Sequence, residues 1–579
     1  MATENKTAKV PVASHGLHKH SYNYPWLSSL NFGNVMPCYI NTLRKGERDN
    51  PKAGVFSQLM PIAHNAFATG RYQFKCIFVP YKLVWRPWYS FAEQSKFNSD
   101  GVHTVPGAYP FVSHKDLSTA FLSAYCNVVS AAADTDIVFN TGTNTSVSYQ
   151  VKNTQGRAIL RILGALGCTP SFIDKDNSTI NILPILCYLK AFSDYYFPNQ
   201  YFNNAQSLVL THFQERDTVD FSSECASLLA ALEIACAMYY ENSVFDLAWD
   251  HPASPSVIDY PSVHIPDLTD STGDIGHLEV NNDDNTSGTP AVVDSTGNPL
   301  QGFTQYVVNA LKSLSMWMKR NQLVGARLID RFLVSRGLTL SNDSARISYL
   351  LGKRNIEIQV SGVENNSDTN LGELAGRGIA SSGDSPLSFD CKAEDDGILL
   401  VIVSAIPDAN FPVYLDGFAC REDFMDVYRA EFDKLGSAAV PSKVVCQRYN
   451  GNYNRTYVNS VFGFLNQYWD EVQERPRLLG DFALNSKGAT QLSAYHTFRI
   501  LPTNGNNPVA AAHSYDFIRM ADRPQYQRLF YSDEQENLML FLRWYGEQYK
   551  EKLPLGDSYE WDDDELNRKV SVVVGGSQK

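Results

Sequence analysis

Charge is scarce in this chain. Of 579 residues only 19% are charged, against about 25% in an average soluble protein. The balance is −13, from 49 Lys and Arg against 62 Asp and Glu. A protein built mainly to grip nucleic acid is basic, so that class is excluded as the main activity. Long hydrophobic runs are also missing. The longest strongly apolar run, Ile398 to Ile406, falls far short of the ~20 residues of a membrane-spanning helix, and no membrane partner is expected. Met1 to Val12 holds no apolar stretch of the secretory kind, so no such signal is expected. There is no Cys-x-x-Cys among the ten cysteines, and the closest pair, Cys225 and Cys236, is eleven residues apart in one helical pattern. Buried reduced thiols are expected rather than disulfides.

Catalytic motifs are absent as well. The chain has no Gly-x-x-x-x-Gly-Lys-[Ser/Thr], His-Glu-x-x-His or Gly-x-Ser-x-Gly, the patterns that cradle phosphate, hold zinc or present a nucleophile. Gly376-Arg377-Gly378-Ile379-Ala380-Ser381 lacks the third glycine of a dinucleotide loop and reads as a tight loop. Asn281 to Asn285, with Asp283 and Asp284, lacks the spacing and late Glu of a calcium loop. Asp562-Asp563-Asp564-Glu565 reads as a solvated face rather than positioned acid and base. His15, His18 and His20 have no fixed second shell in an arm. No catalytic residue, cofactor or metal is therefore expected, and the chain does not read as an enzyme.

Aromatic residues make up 12% of the chain, with 31 Tyr and 31 Phe. This excludes global disorder. Low charge with abundant Tyr, Phe and Asn suits a large, wet protein–protein interface. Residues 1–30 open with Lys6, Lys9 and Lys19 against Glu4 and read as an arm. Phe74 to Val79 reads as a strand stopped by Pro80. Helices are expected over 118–133 and 156–167, after Pro184 to Tyr196, over Ser222 to Tyr240 with Ser222 or Ser223 as cap, and over Thr304 to Arg336. In the Ser222 helix, Leu228, Leu229, Leu232, Ala235, Cys236 and Tyr239 form one stripe. His251 to Phe303 carries eight acids and no Lys or Arg. It reads as an exposed acidic loop, which composition allows to be either a flexible linker or an external loop facing solvent or a receptor. Beyond Asn355 the texture is β, with runs at Ile356 to Val360, Ile398 to Ile406, Val413 to Phe418, Val440 to Cys446 and Val570 to Val574. Late helices are expected near Arg421 to Leu435 and Glu534 to Tyr549.

Five blocks in order are similar to the major capsid proteins of small tailless single-stranded DNA bacteriophages, the microviruses (Microviridae), and resemble the gokushovirus-like branches most. The first is Phe78-Val79-Pro80-Tyr81-Lys82-Leu83-Val84-Trp85 with Trp88 and Phe91, preceded by Phe32-Gly33, Pro37 and Pro61. The second runs from Leu183-Pro184 through Ala191 to Asp194-Tyr195-Tyr196. The third is Trp317-Met318-Lys319-Arg320-Asn321 with Gly325, Arg327 and Ile329. The fourth is Leu371-Gly372 to Gly376-Arg377-Gly378-Ile379, then Glu394 to Gly397 and the apolar run to Pro407. The fifth is Phe462-Gly463-Phe464 to Tyr468 and Glu471, then Gly480-Asp481-Phe482. The family's Pro-Gly-Asp turn stands here as Lys45-Gly46-Glu47, its Glu-His-Gly as Glu394-Asp395-Asp396-Gly397, and the Arg after Tyr195-Tyr196 is replaced by Phe197-Pro198.

The resemblance implies a mainly β fold: a single antiparallel eight-stranded jelly roll of the viral capsid type, over 31–579, with long helical and loop insertions, including 100–250. It implies self-assembly into a T=1 icosahedral shell around a circular single-stranded DNA genome, within the virion, after assembly in the bacterial host cytoplasm. The implied partners are other copies of the chain, a scaffolding protein, a pilot protein, a small basic DNA-binding protein, packaged single-stranded DNA by loose interior contacts, and a host cell-surface receptor. The arm before Tyr24 would face the interior. Residues 251–303 would form a surface protrusion, with Val257, Ile258 and Tyr260 available for burial at a symmetry axis and Asp267, Asp283 and Asp284 facing outward. The rival position for the protrusion is Asp100 to Gln155. Two other classes fit parts of the composition: a glycan-binding or glycan-processing β protein, which needs a paired-carboxylate cleft, and a surface adhesin, which needs a secretion signal.

Overall fold

The computed structural model describes residues 8–11, 17–59, 70–94, 106–129, 137–140, 146–152, 154–170, 172–173, 178–197, 218–238, 263–269, 275–281, 289–293, 309, 312–313, 316–317, 328–364, 374–381, 386–407, 416–421, 424–430, 437–441, 461–466, 468–472, 503–504, 507–508, 536, 538–551 and 571–574. Its frame is β, and every pairing among the named strands is antiparallel. Eight long strands carry it: β1 (Leu17–Leu30), β2 (Val35–Leu43), β3 (Arg48–Leu59), β4 (Gly70–Pro80), β5 (Tyr349–Glu364), β6 (Leu374–Ser381), β7 (Gly397–Pro407) and β8 (Leu538–Glu551). Their order is β1-β8-β3-β6-β5-β4-β7-β2, and Leu387–Ser388 and Cys391–Lys392 also pair with β3.

This path folds into two facing sheets. The hinge is β5, whose first part, to Ile358, pairs with β4 and whose second part, from Gln359, pairs with β6. In the outer sheet one face alternates strictly. On β3 the inward set is Asp49, Pro51, Ala53, Val55, Ser57 and Leu59; on β8 it is Leu538, Leu540, Leu542 and Trp544. Period two puts each set on one side, and a one-residue slip would expose all of it. The inner sheet behaves differently. Every residue of β7 is buried, and all but Arg71 of β4. Such runs mark strands covered on both faces.

The second cover is a helical layer: α1 (Trp88–Ala92), α2 (His114–Tyr125), α3 (Thr154–Ala165), α4 (Leu183–Tyr195) and α5 (Cys225–Ala235). Helix α4 packs on β4 and β7, and α3 on β2. Alternate residues of β4 thus serve different neighbours. Tyr72 reaches outward to Ser57, at 2.5 Å, whereas Lys75 reaches back to the Tyr195 carbonyl, at 2.7 Å. Helix α4 is buried nearly all round and starts with Pro184 in its first turn, where a missing N–H costs nothing. The stripe expected on α5 is buried at Leu228, Leu229, Leu232, Ala235 and Cys236; Tyr239 lies outside the described residues. No serine side chain caps α5. Ser222–Glu224 forms a 3-10 turn, and Asp220 Oδ1 accepts from the Ser222 N–H and hydroxyl.

Several expected elements differ. Leu538–Glu551 is a strand, not a helix: its inward Leu538, Leu540, Leu542 and Trp544 repeat every second residue, and strands on both sides supply its hydrogen bonds. Leu17–Leu30, expected within an arm, pairs with β8 along its whole length. The Gly376–Gly378 loop is instead part of β6. Residues 126–129, expected helical, form a strand after α2. The expected strand ending at Phe418 and helix starting at Arg421 are replaced, where described, by 3-10 turns at Gly417–Cys420 and Phe424–Asp426. Within the acidic segment, Val263–Thr269, Ile275–Asn281 and Thr289–Val293 make a three-stranded antiparallel meander rather than a loop. Leu328–Arg336 is helical as expected. Among the described residues no helix is long and apolar enough to cross a membrane.

Candidate functional site

The first and fourth sequence blocks meet at one end of the inner sheet. Pro80 ends β4, and the chain turns through Tyr81–Leu83 as a 3-10 helix into α1. The start of β7 lies beside it, with Gly397 opposite Pro80 and Ile398 opposite Val79. A Cβ on Gly397 would stand 2.4 Å from the Val79 carbonyl oxygen and 2.9 Å from Pro80 Cα. Only glycine fits that approach. Asp396 then ties three elements. Its carbonyl accepts from Tyr81 N at 2.9 Å, Oδ1 from Lys45 N at 2.9 Å, and Oδ2 from Trp88 Nε1 at 3.3 Å. Asp395 accepts from the Tyr89 hydroxyl and pairs with Lys82 at 2.9 Å, and Lys82 also reaches Asp343 at 2.6 Å. Burial pulls the Lys82 ammonium down, but the hydrogen bonds it donates to Asp343 and Asp395 outweigh that and its pKa is raised. Burial, then the hydrogen bond to Asp395, raises Tyr89.

The aromatics of the first block line this end. Trp85 is fully buried; Tyr81 and Trp88 rings are 4.4 Å apart, Trp85 and Phe91 5.6 Å, and Phe91 and Tyr109 4.7 Å. Phe78, Val79, Leu83 and Trp88 are buried with them. The Asp395 and Asp396 carboxylates are both engaged, one by a cation and a phenol and the other by two N–H donors. The chemistry is that of a lock between strand ends, not of an acid–base pair waiting for substrate.

The second block forms a matching lock on the helical side. Asp194, at the end of α4, pairs with Lys190 at 2.8 Å and accepts from Ser348 N and Oγ at 2.9 and 2.7 Å. The Tyr195 hydroxyl donates to the Ser348 carbonyl. Lys75 Nζ lies 4.0 Å from the Tyr196 ring centroid. The Asp-Tyr-Tyr run thus fastens α4 to β4 and to the entrance of β5.

A third cluster was not visible as a motif. Between the two sheets, Asp49 is fully buried and accepts from Tyr22 Oη at 3.0 Å, Tyr39 Oη at 2.5 Å and Asn41 Nδ2 at 2.5 Å. Lys550 Nζ donates to Asn41 Oδ1 at 2.8 Å and to the Thr42 carbonyl at 2.9 Å. Burial lowers the Lys550 pKa, and burial together with the Asp49 charge raises those of Tyr22 and Tyr39. Beside it the Lys45-Gly46-Glu47 turn has Gly46 at φ 93°, a left-handed conformation suited to glycine. Buried Glu47 accepts from Arg44 N and from Glu551 N, both at 2.9 Å, joining the turn to the end of β8. The signal for this cluster was parity: Asp49 occupies an inward position of an alternating strand.

The other expected residues are dispersed. Gly376 and Gly378 pair with Gly362 and Val360 in the β5–β6 ladder. Gly463 lies in strand Val461–Asn466, opposite Val440 of Ser437–Pro441. Trp317 is helical and 37% exposed. Asp267 lies in strand Val263–Thr269. Arg320, Asn321, Gly325, Arg327, Asp481, Val257, Ile258, Tyr260, Asp283 and Asp284 lie outside the described residues. His18 and His20 fall on β1 two residues apart, and among the described residues no cluster of His, Cys, Asp and Glu could hold a metal ion. Among the described residues nine cysteines form no disulfide, and eight of them are buried.

Compared with the known protein families and with curated proteins, the chain matches none.

Proposed function

We propose that the chain is the major capsid protein of a microvirus-like particle, a structural protein without catalytic activity that assembles into a T=1 shell around circular single-stranded DNA. The observation that carries this reading is the meeting of the first and fourth sequence blocks. Phe78 to Trp88 and Asp395 to Gly397 are more than 300 residues apart in the chain yet build one interlocked end of the inner sheet. Residues that a family would hold together for architecture are engaged here in architecture. The eight long antiparallel strands in two facing sheets support a jelly roll, and the helices at 114–235 fit insertions between its strands.

In such a shell function is geometry. Loop and edge residues meet at two-, three- and five-fold axes, and closed rings terminate growth. Single contacts of modest strength gain by number. Scaffolding and pilot proteins, a small basic DNA-binding protein and a host receptor are the partners this reading proposes. The acidic segment 251–303, with its three-stranded meander, is the proposed surface protrusion. Placed against packaged DNA it would set like charges together.

Negative-stain electron microscopy of the purified protein, followed by a reconstruction, tests the reading. Isometric particles with residues 251–303 outermost are expected. Monomers at all concentrations, or a glycosidase, esterase or nuclease activity lost with a single carboxylate or serine substitution, would overturn it.

A further inference from the structure

At one end of the two sheets, Asn41 of β2 meets Lys550 of β8, a residue of the facing sheet 509 positions away in the chain. Lys550 Nζ donates to Asn41 Oδ1 at 2.8 Å and to the Thr42 carbonyl at 2.9 Å. Neither acceptor is charged, although an ammonium drawn partly out of water is usually met by a carboxylate. The other end of the same amide is held as firmly. Asn41 Nδ2 donates to Asp49 Oδ2 at 2.5 Å and to Gln548 Oε1 at 3.1 Å. One carboxamide thus has an amine at its oxygen and a carboxylate at its nitrogen.

The surroundings suit a reaction between them. Burial lowers the Lys550 pKa against the opposing pull of Glu47 and Asp49, which enlarges the share of neutral, nucleophilic amine. Asp49 is fully buried under the Tyr22 and Tyr39 hydroxyls, and the fully buried Trp544 has its ring 4.8 Å from that of Tyr39. Water is therefore kept from the carboxylate. Both side chains start from fixed backbone. Asn41 pairs with Leu399 in the β2–β7 ladder, and the N–H of Glu551, next to Lys550, is held by buried Glu47 at 2.9 Å. The carbon Cγ lies one C=O bond, about 1.2 Å, behind Oδ1. A small turn of the flexible lysine stem brings Nζ to the near-attack separation of about 3–3.5 Å.

We propose that Lys550 and Asn41 join spontaneously in the folded chain as a side-chain amide, with Asp49 carrying the protons and ammonia released. Asp49 takes one proton from the Lys550 ammonium, and the freed Nζ lone pair forms the bond to Cγ. Asp49 returns that proton to Nδ2, the Cγ–Nδ2 bond breaks, and its electron pair leaves with ammonia. The second surplus proton on Nζ passes through Asp49 to the ammonia, which departs as ammonium and leaves the carboxylate as it began. Nothing is oxidised or reduced, and no second molecule takes part. The event happens once per chain, so it is a self-modification without turnover. It ties the edge of the inner sheet covalently to the outer sheet and closes a loop of almost the whole chain, which restricts the unfolded state. Whether the protein forms particles has no bearing on it.

The test is the intact mass of the full-length folded protein, followed by peptide mapping. A mass below that of the sequence by one ammonia is expected, with a branched peptide that joins the Asn41 and Lys550 side chains. Protein collected and held in denaturant should keep the full mass and lose ammonia only after refolding. Lys550→Arg keeps the cation without the amine and should keep the full mass. On a denaturing, reducing gel it should run behind the wild type, whose chain is closed into a loop. Asp49→Asn should slow the bond about a hundredfold or more, the contribution of a positioned acid–base group, read as the fraction joined against time after refolding. Full sequence mass in folded wild-type protein overturns the proposal. So does loss of ammonia that persists in Lys550→Arg, since Asn41 would then be closing on its own backbone. A bond that forms as fast in Asp49→Asn overturns the role given to Asp49. Should either variant fail to fold, the wild-type mass and the presence or absence of the branched peptide still decide.

Discussion

Replacing Asp49 with alanine tests the join between the two sheets. The carboxylate is fully buried and accepts from Tyr22, Tyr39 and Asn41. A hydrogen bond to a charged group contributes about 1.5–3 kcal/mol, but two of the three donors have fallback partners. Tyr39 Oη is 3.0 Å from Tyr22 Oη, and Asn41 Nδ2 is 3.1 Å from Gln548 Oε1. The unrescued terms are the Tyr22 hydroxyl and the half-buried Lys550 ammonium, for which Glu47 and Asp49 supply the favourable charge. Breaking a buried charged network by removing one member costs about 3–5 kcal/mol, and the fallbacks place Asp49→Ala near the lower end, at about 3 kcal/mol. Tyr39→Phe removes one donor and should cost about 1–2 kcal/mol. The double variant should fall short of the sum by at least ~0.5 kcal/mol, because the two share one bond. Urea unfolding of the purified protein, followed by tryptophan fluorescence, reads this directly, since the Trp544 and Tyr39 rings are 4.8 Å apart. An Asp49→Ala variant within about 0.5 kcal/mol of wild type, or strict additivity with Tyr39→Phe, would refute the assignment.

Three further outcomes follow from the packing. Gly397→Ala drives a methyl into the Val79 carbonyl and Pro80 and should cost at least ~1–3 kcal/mol; Ile398→Val, nearby and without that clash, should cost only about 0.5–1.5 kcal/mol by the same unfolding assay. Tyr22, Tyr39, Tyr72 and Tyr188 all have pKa values raised above 10.0, chiefly by burial. Their phenols stay protonated in the fold while the unfolded chain ionises, so stability is full below about pH 10 and falls as pH rises beyond it; phenolate absorbance that rises in step with unfolding is expected, and free titration of all tyrosines in folded protein would contradict the burial. Burial also raises the thiols, with Cys168, Cys225 and Cys391 pushed up to about 12. Among the nine described thiols a thiol reagent should find Cys420, the one that is not fully buried, first in native protein, and several disulfides surviving denaturation without reductant would refute the free-thiol assignment.

Much of the inner sheet was readable from sequence, because strands covered on both faces write themselves as unbroken apolar runs: Ile398 to Ile406 became Gly397–Pro407, and Phe74 to Val79 became Gly70–Pro80. Helices α3, α4 and α5 were readable from their wide apolar stripes, with Pro184 as a true start signal for α4 and the serine cap expected for α5 not formed. The outer sheet was not. In Leu538–Glu551 the solvent-side Met539 and Phe541 are as apolar as the inward leucines, so period two is masked and residues of good helix propensity suggest a helix. Tertiary pairing on both edges decides the matter. The Asp49 cluster was hidden for another reason: its members come from four strands, and only three-dimensional register brings Tyr22, Tyr39, Asp49 and Lys550 together. The locks at Asp194 and Asp396 were readable as motifs but not as mechanisms.

The middle position of β8 has a consequence in time. It lies between β1 and β3, both complete by Leu59, yet it begins only at Leu538. At about 5–20 residues per second, the ribosome takes roughly 25–95 seconds to cover the interval. Throughout it, β1 and β3 have no neighbour to share, the inward side of β3 has no finished sheet around it, and two strand edges stand open. Closure of the outer sheet is therefore a late event that joins strands lying far apart in the sequence. A newborn chain is most exposed to edge-to-edge mispairing in that window, which is when a chaperone would have its greatest effect on yield.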